Sequence, residues 1–373
     1  MTRSSSNPAS AGPPAPNEVE VSIFGPGKGE SIAVHAGGGD WLIIDSCIDH
    51  TTGEQPTLRY LQSIGVDVST QVKVVLATHA HDDHIAGIAD VYEAAGASTL
   101  VLSSAATSEE FFAAVEADAE IEAQLRKSVR AEYRRLLDIA EERAARAKGW
   151  RPMKRAVEGL DLWSRSAEND VPAAWARSLS PSHHAVSRAQ LALATGTARA
   201  GTRRRLAGTD PNEFAVALWI QVGDDAVLLG GDLLAGPAAC GWQAVVATFS
   251  PPAPAMYFKV PHHGAPNAHF DDVWAQLVRD GPTATMAPYR AGVTPRPSQE
   301  DVTRLKALTP HLYVTADPRR PAPNNRVRKT SATLAQVASN VRDPWGVPGQ
   351  VRTRGMPGEA EWATEYFRPA LRL

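Results

Sequence analysis

Three histidines and two aspartates lie within six consecutive positions of the segment LATHAHDDHIAG, which spans residues 76–87. The chain holds eleven histidines in 373 residues, so three this close together form a local concentration. Imidazole and carboxylate ligands without a thiolate are typical of catalytic Zn²⁺ sites, and they also suit Mn²⁺ or Fe. A lone histidine is usually a core or surface residue, whereas this cluster predicts a metal site. Its members are His79, His81, Asp82, Asp83 and His84.

The element before the cluster must position it. The apolar run VKVVLAT predicts a buried strand that ends next to the histidines. Side chains just beyond a strand end can be held within the tolerance of a metal site. His79 and His81 are two positions apart, so they point the same way in an extended segment. Asp83 and His84 follow where the chain turns into a helix, and they can approach from another side.

Two strand-rich halves with helices between them indicate a layered α/β fold. A helix is expected to begin at Ser298, where SQED offers a capping box from Ser298 to Asp301. The main domain is predicted over residues 19–317, after a disordered tail at 1–18 with no signal peptide. A helical insertion is expected at about 107–165, and residues 318–373 predict an irregular Arg/Pro-rich C-terminal extension.

The insertion carries an apolar stripe, so one of its faces should be buried. A packed helical hairpin is the preferred interpretation, and an interface to a protein partner or a second copy is the alternative. The stripe consists of Leu125, Val129, Tyr133, Leu136 and Ile139.

Composition excludes several classes of protein. A net charge of −3 gives no general attraction to nucleic acid or membranes, so such a partner needs a local basic patch. Two cysteines allow neither a disulfide framework nor a Cys-rich zinc site. No apolar run is long enough to span a membrane. We therefore expect a cytoplasmic protein without a membrane partner.

The segment THAHDDH resembles the HxHxDH signature of the metallo-β-lactamase-fold hydrolases. Three further motifs of that family occur in this sequence, and with THAHDDH they stand in the family's order along the chain. WLIIDS supplies Asp45, AVLLGGDLL supplies Asp232, and FKVPHHG supplies His262 and His263. The resemblance implies a four-layer αβ/βα sandwich and a metal-dependent hydrolase.

A finer resemblance is to the hydrolase domain of the DNA-uptake competence proteins. That branch carries a Gly-rich turn followed by an acidic residue and Ser, as in GPGKGES, and also a GD and a KVPHHG motif. Its usual GHPS is PRPS here, with Arg296 in place of His. The competence proteins have membrane helices, so uptake through a membrane is not implied.

The resemblance assigns ligands for two Zn²⁺ ions, with Mn²⁺ or Fe as substitutes. His79 and His81 would hold the first ion, Asp83 and His84 the second, and Asp232 would bridge them. His263 is preferred as a further ligand, and His262 would lie behind the ligands or contact the leaving group. Asp45 would orient a ligating His, although a turn-capping role is the alternative.

One ligand of the wider family is missing. Its third His for the first ion falls near Asn212 and Glu213, and the competence branch also has Asn there. His183 and His184 are interpreted as loop residues because they lie too far along the chain. Cys47 is interpreted as a small core residue.

Two bound cations would activate a water for attack, so no protein nucleophile is needed. This assigns catalysis to Asp83, Asp232 and His262. GPGKGES lacks the spacing of a P-loop, and no G-x-S-x-G motif is present.

Basic segments favour a phosphodiester substrate. RAGTRRR holds Arg199 and Arg203–Arg205, and residues 319–373 carry ten Lys/Arg against four Asp/Glu. The leading hypothesis is a phosphodiesterase or nuclease acting on nucleic acid or another phosphoester. A small-molecule hydrolase of nucleotides, lactones or phosphoesters is one alternative, and a non-catalytic metal-binding or interaction module is another.

Overall fold

Two β-sheets form the framework of the protein in the computed structural model. The structure describes residues 3–4, 12–25, 29–49, 51–105, 123–147, 149–197, 210–289, 295–318 and 347–373. The strands in these ranges are β1 (Arg3–Ser4), β2 (Val19–Gly25), β3 (Ser31–His35), β4 (Trp41–Ile44), β5 (Val72–Ala77), β6 (Thr99–Ser103), β7 (Met153–Ala156), β8 (Asp161–Arg165), β9 (Ala174–Ser178), β10 (Leu218–Val222), β11 (Asp225–Leu229), β12 (Ala255–Lys259), β13 (Val278–Met286), β14 (Leu312–Val314), β15 (Gly349–Gly355), β16 (Ala363–Phe367) and β17 (Leu371–Arg372).

Helices lie along and between these strands. The α-helices are α1 (Pro56–Ser63), α2 (Val68–Gln71), α3 (Asp82–Ile85), α4 (Ile88–Ala94), α5 (Ala123–Arg146), α6 (His183–Thr197), α7 (Gly241–Thr248), α8 (Asp271–Gln276) and α9 (Gln299–Leu308). Short 3-10 helices occur at Pro211–Phe214 and Pro261–Gly264. The predicted capping box is confirmed, because Ser298 caps α9 and exchanges hydrogen bonds with Asp301.

The first sheet has the strand order β1-β16-β15-β2-β3-β4-β5-β6-β7, and the second has the order β17-β14-β13-β12-β11-β10-β9-β8. Strands β4 to β7 are parallel to one another, and so are β11 to β14. The carboxyl ends of parallel strands share one edge of a sheet, and ligand sites in α/β proteins commonly form there.

Alternating side chains of the strands build the layers. In β4, Leu42 and Ile44 pack between the two sheets, whereas Trp41 and Ile43 pack towards the helices. Helices α1, α4 and α5 cover the outer face of the first sheet, and α7, α8 and α9 cover that of the second. The four-layer sandwich expected from the sequence is confirmed.

The insertion differs from its predicted extent. Within 107–165 the structure describes α5 and then β7 and β8, each of which joins a sheet, so the insertion ends before residue 153. Tyr133 and Leu136 are buried against the first sheet's helices, and Arg143 stacks over Tyr92. This side of the stripe packs within the chain, as expected of a packed helix. Ile139 is partly buried against the same cluster, and the other two predicted positions, Leu125 and Val129, lie among residues whose side chains are not described.

The predicted irregular C-terminal extension is wrong for residues 349–372, which form β15, β16 and β17. β15 pairs with β2 inside the first sheet. The charged residues of β15 made its sequence look unlike a buried strand. In the structure carboxylates neutralise two of these charges: Arg352 pairs with Glu365 at 2.7 Å, and Arg354 pairs with Glu20 at 2.7 Å. The domain therefore continues past 317. The basic positions at 319–346 lie outside the described residues.

The predicted disordered tail is also wrong for residues 12–18. The Pro16 carbonyl accepts a hydrogen bond from the Gly38 amide at 2.6 Å, and the Glu18 carbonyl accepts one from His35 at 2.8 Å. These contacts hold the segment against the turn between β3 and β4. In the described parts of the chain, none of the helices is both long enough and apolar enough to cross a membrane.

Candidate metal centre

Four side chains from three separate segments converge at the edge where the parallel strands end. Their ligand atoms all lie within 4.8 Å of one another, and all four side chains are buried. His84 Nε2 and His263 Nε2 each lie 3.4 Å from Asp232 Oδ2, and they lie 3.6 and 3.4 Å from Asp83 Oδ2. We call Asp83, His84, Asp232 and His263 the four-residue centre.

Hydrogen bonds orient both imidazoles of the four-residue centre. His84 Nδ1 donates to Asp45 Oδ2 at 2.7 Å, and His263 Nδ1 donates to the Ala287 carbonyl at 3.0 Å. Each ring therefore directs Nε2 at the two carboxylates. Metal-ligating histidines typically donate their other N–H to a carboxylate or carbonyl in this way.

The electrostatics of the four-residue centre fit a cation. Among the described residues, the buried His84 Nε2 has no hydrogen-bond partner. Burial by itself lowers the pKa of His263, but Asp232 and Asp83 outweigh it and raise that pKa to about 10. Burial raises the pKa of Asp232, yet His84, His263 and Lys259 hold it well below its ordinary value. The residues present thus suit a divalent cation.

Asp45 positions His84 rather than acting only as a turn cap. Its Oδ1 accepts the Thr78 amide at 2.7 Å, and its Oδ2 accepts both the Thr78 hydroxyl at 2.8 Å and His84 Nδ1 at 2.7 Å. Its backbone is left-handed, with φ of 60°. The carboxylate therefore joins the ends of β4 and β5 to a residue of the four-residue centre.

His79 and His81, which we call the histidine pair, lie beside the four-residue centre. His79 Nε2 is 3.1 Å from His81 Nδ1, and the His79 and His84 ring centroids are 4.3 Å apart. Within the described ranges, no His, Cys, Asp or Glu adds a third ligand atom within 4.8 Å of both. The histidine pair therefore lies next to the four-residue centre, but it offers two converging ligands of these residue types, whereas the centre offers four.

The structure separates the roles left open for His262 and His263. His263 belongs to the four-residue centre, whereas His262 directs Nε2 towards Asn212 Nδ2 at 3.4 Å. Both residues have left-handed backbones, with φ of 48° and 55°. A left-handed conformation at two consecutive non-glycine residues is strained, and such strain is often found at functional sites.

Sequence reasoning missed a buried ion pair behind the four-residue centre. Lys259 Nζ lies 2.5 Å from Glu30 Oε1, 2.7 Å from the Gly231 carbonyl and 3.4 Å from Asp232 Oδ1. Burial raises the pKa of Glu30, and Glu30 and Asp232 keep the pKa of Lys259 above its ordinary value despite its burial. The available signal was a lysine in the otherwise apolar strand AMYFK.

Tyr289 is a second residue that the sequence did not single out. Its ring stacks on His263 with centroids 5.2 Å apart and an interplanar angle of 22°. Burial, together with Asp83, Asp82 and Asp232, raises its pKa to about 12. Arg296 exchanges two backbone hydrogen bonds with Tyr289, at 2.8 and 2.7 Å, so PRPS supports this face of the site.

Other predicted residues lie elsewhere. His183 and His184 are exposed and take no part in the ligand groups of the described residues. The interpretation as loop residues is wrong, because both belong to the first turn of α6. Arg199 and Arg203–Arg205 lie outside the described residues. Cys47 is buried, as expected of a small core residue.

Comparison with known proteins assigns the family. The family described as the metallo-beta-lactamase superfamily matches residues 25–288, which is well over half of the chain. The chain therefore belongs to the metallo-β-lactamase superfamily, whose hydrolase class agrees with the candidate metal site. The finer resemblance to the competence proteins stays a prediction. No curated protein sequence gives a significant match.

One similar solved structure is AidC, described as a dizinc quorum-quenching lactonase in complex with the product N-hexnoyl-L-homoserine. The two chains are 14% identical with a TM-score of 0.31, and the match covers 55% of this chain and 56% of the lactonase. This chain thus spans little more than half of that protein's length, and the description as a lactonase is that of AidC.

Proposed function

We propose that the protein is a metal-dependent phosphodiesterase, with nucleic acid as its leading substrate. One observation carries this choice of substrate class. The two residues that mark the competence-type motifs, Glu30 in GPGKGES and Lys259 in FKVPHHG, meet at 2.5 Å directly behind Asp232. The motif resemblance thus involves residues that build the site.

The four-residue centre would hold one divalent cation, and the histidine pair would contribute to a second position. Bound Zn²⁺ or Mn²⁺ would lower the pKa of water and stabilise the negative charge that develops on a phosphoryl oxygen. Asp232 Oδ2 faces both His84 and His263, while its Oδ1 faces Lys259. Because its two oxygens have different partners, the Asp232 carboxylate is held in one orientation, and only Oδ2 is directed into the site.

Tyr289 and His262 are available for contact with substrate, because both are only partly buried beside the centre. Burial lowers the pKa of His262, so its imidazole is neutral near pH 7. The raised pKa of Tyr289 keeps its hydroxyl protonated and able to donate a hydrogen bond. Neutral donors and acceptors at this position suit the orientation of a charged phosphodiester.

A substrate panel tests the proposal. The full chain, loaded with Zn²⁺ or Mn²⁺, is incubated with single- and double-stranded DNA, RNA, bis(p-nitrophenyl) phosphate, a homoserine lactone and a thioester. We expect cleavage of the phosphodiesters, its loss in Asp232→Asn, and wild-type rates in the exposed control His184→Ala.

Two outcomes would contradict the proposal in different ways. Turnover of the lactone or thioester without phosphodiester cleavage under any metal would indicate a small-molecule hydrolase. Absence of bound metal together with absence of turnover would indicate a non-catalytic module. We also propose that the protein is cytoplasmic and that a protein partner or a second copy binds through α5.

A further inference from the structure

We propose that the protein has a separate binding site for a phosphate group, at the edge of the sheets opposite the candidate metal centre. The site is a cavity of about 70 Å³, which we call the oxyanion cleft. This volume is several times the roughly 10–15 Å³ that one water requires, so the cleft has room for a phosphate group. The lining residues that could donate to such a ligand are Arg279, Thr283, His311, Trp362 and Arg372.

The strands fix the position of the oxyanion cleft. Tyr313 of β14 and Arg372 of β17 are register partners, so their side chains project from the same face of the second sheet. Tyr313 packs in the core between the two sheets, whereas Leu312 and Leu371 pack on the outer face. Arg372 therefore projects towards the first sheet, where Trp362 packs in the same core just before β16. The cleft lies between the sheets where β12 and β14 begin, whereas the metal centre lies where the parallel strands end.

The charges of the oxyanion cleft favour an anion. Arg279 Nη1 donates to the Ala360 carbonyl at 2.6 Å, and Arg372 Nη2 donates to the Pro310 carbonyl at 2.7 Å. Among the residues that the structure describes, no carboxylate oxygen lies within 4.0 Å of either guanidinium group. One carboxylate, that of Glu361, also lines the cleft, and it is exposed to solvent. Backbone carbonyls thus orient two cations that keep further N–H groups for a ligand.

A buried donor without a partner also lines the oxyanion cleft. Trp362 is 7% exposed, and its Nε1 makes no hydrogen bond within the described ranges. An indole N–H can only donate, and leaving it unpaired in a buried position is costly. The half-buried Thr283 and His311 add a hydroxyl and an imidazole to the same lining. A ligand that carries acceptor oxygens would therefore satisfy the indole.

The arrangement of the donors favours phosphate over a carboxylate. Arg279 lies in β13, Arg372 in β17 and Trp362 before β16, so the donors come from three separate segments. A tetrahedral phosphate presents oxygens in several directions, whereas a planar carboxylate presents two in one plane. The planar guanidinium fork also matches the geometry of phosphate oxygens. Free phosphate and the terminal phosphate of a nucleotide share this chemistry.

Isothermal titration calorimetry of the metal-free full chain tests the proposal, because removal of metal prevents phosphate from binding a cation at the metal centre. Inorganic phosphate and adenosine 5′-monophosphate are titrated separately at constant ionic strength. We expect one equivalent of phosphate to bind with a Kd below about 1 mM. Arg279→Gln and Arg372→Gln should each weaken binding by at least about tenfold. Arg151→Gln removes an exposed guanidinium outside the cleft and should bind like the wild type.

The indole N–H of Trp362 gives a second measurement that does not depend on the arginine variants. In nitrogen-15 NMR spectra of the wild type, phosphate should shift the indole signal that is absent from Trp362→Phe. Thermal unfolding of each variant without phosphate checks the fold. Comparable affinities for the two compounds would identify the phosphate group as the ligand, and much tighter binding of the nucleotide would identify a nucleotide phosphate.

Three results would overturn the proposal: no binding of either compound, wild-type binding by both arginine variants, or an unshifted Trp362 signal at saturating phosphate. The proposal is independent of the proposed function, since the oxyanion cleft contains none of the predicted metal ligands. A chain that binds phosphate as described but cleaves no phosphodiester would refute the proposed function alone.

Discussion

Lys259 Nζ and Glu30 Oε1 lie 2.5 Å apart, and neither side chain is exposed to solvent. The pair connects the end of β12 to the segment after the Gly-rich turn, and Lys259 also contacts the Gly231 carbonyl next to Asp232. A buried ion pair adds little net stability, but loss of one partner leaves an uncompensated charge. The ion pair therefore positions Asp232, and Lys259 supplies a positive charge at a site that contains several carboxylates.

Lys259→Met should destabilise the protein by about 3–5 kcal/mol, because Glu30 would remain buried without its partner. Urea unfolding of the metal-free chain measures this. The matched control is Lys73→Met, whose ammonium is a third exposed and lies 3.5 Å from Asp40; its expected cost is below about 1 kcal/mol. Adding Glu30→Gln to Lys259→Met should recover part of the loss. Equal destabilisation by the two lysine variants would contradict the proposed role.

His35 predicts a loss of stability in acid that is independent of the metal site. The buried ring donates Nδ1–H to the Glu18 carbonyl and accepts the Gly39 amide at Nε2, so it must be neutral. Burial lowers its pKa to about 4, whereas the unfolded chain titrates near 6.5. The unfolded state therefore binds more protons between these values, and stability falls by about 3 kcal/mol as the pH drops from 6.5 through 4.

The free energy of unfolding of wild type and His35→Gln, measured from pH 7 to 4, checks this dependence. Glutamine can keep one donor and one acceptor without titrating, so its curve should lack the contribution of His35. His183→Ala, at an exposed position, should follow the wild type. A parallel decline in all three proteins would assign the acid sensitivity to other groups.

Asp45→Asn should weaken metal binding by about 10–100-fold without unfolding the protein. Asparagine tolerates the left-handed backbone at φ 60°. Its NH₂ group cannot accept a hydrogen bond, however, so one of the two accepting oxygens of Asp45 would be lost. Competition with a chromogenic chelator measures the affinity. Asp67→Asn changes an exposed carboxylate that caps α2, and it should bind metal like the wild type. Unchanged affinity in Asp45→Asn would remove Asp45 from the site.

His81→Ala and Asp232→Ala should each lower hydrolysis by at least about 100-fold while the protein stays folded, because both residues lie in loops at strand ends. Initial rates on the best substrate of the panel, with circular dichroism of each variant, provide the measurement. His184→Ala serves as the exposed control. Wild-type turnover by either site variant would show that its assigned role is wrong.

Local patterns in the sequence were sufficient for much of the fold. The apolar run VKVVLAT predicted β5, since a strand pattern is a property of neighbouring residues. The capping box at Ser298 was equally local. β15 escaped prediction because its charged residues are neutralised by Glu20 and Glu365, which lie in other strands.

The candidate site likewise has a part that the sequence predicted and a part that it did not. The spacing of His79, His81, Asp83 and His84 was visible because one short segment carries all four. The different orientations of His262 and His263 arise from left-handed backbone at both residues and from contacts with Asn212 and the Ala287 carbonyl. The contact between Lys259 and Glu30 likewise exists only once two sheets pack and bring separate strand ends together. Sequence spacing therefore determined which residues could ligate a cation, whereas the packing of the sheets decided which of them face one another.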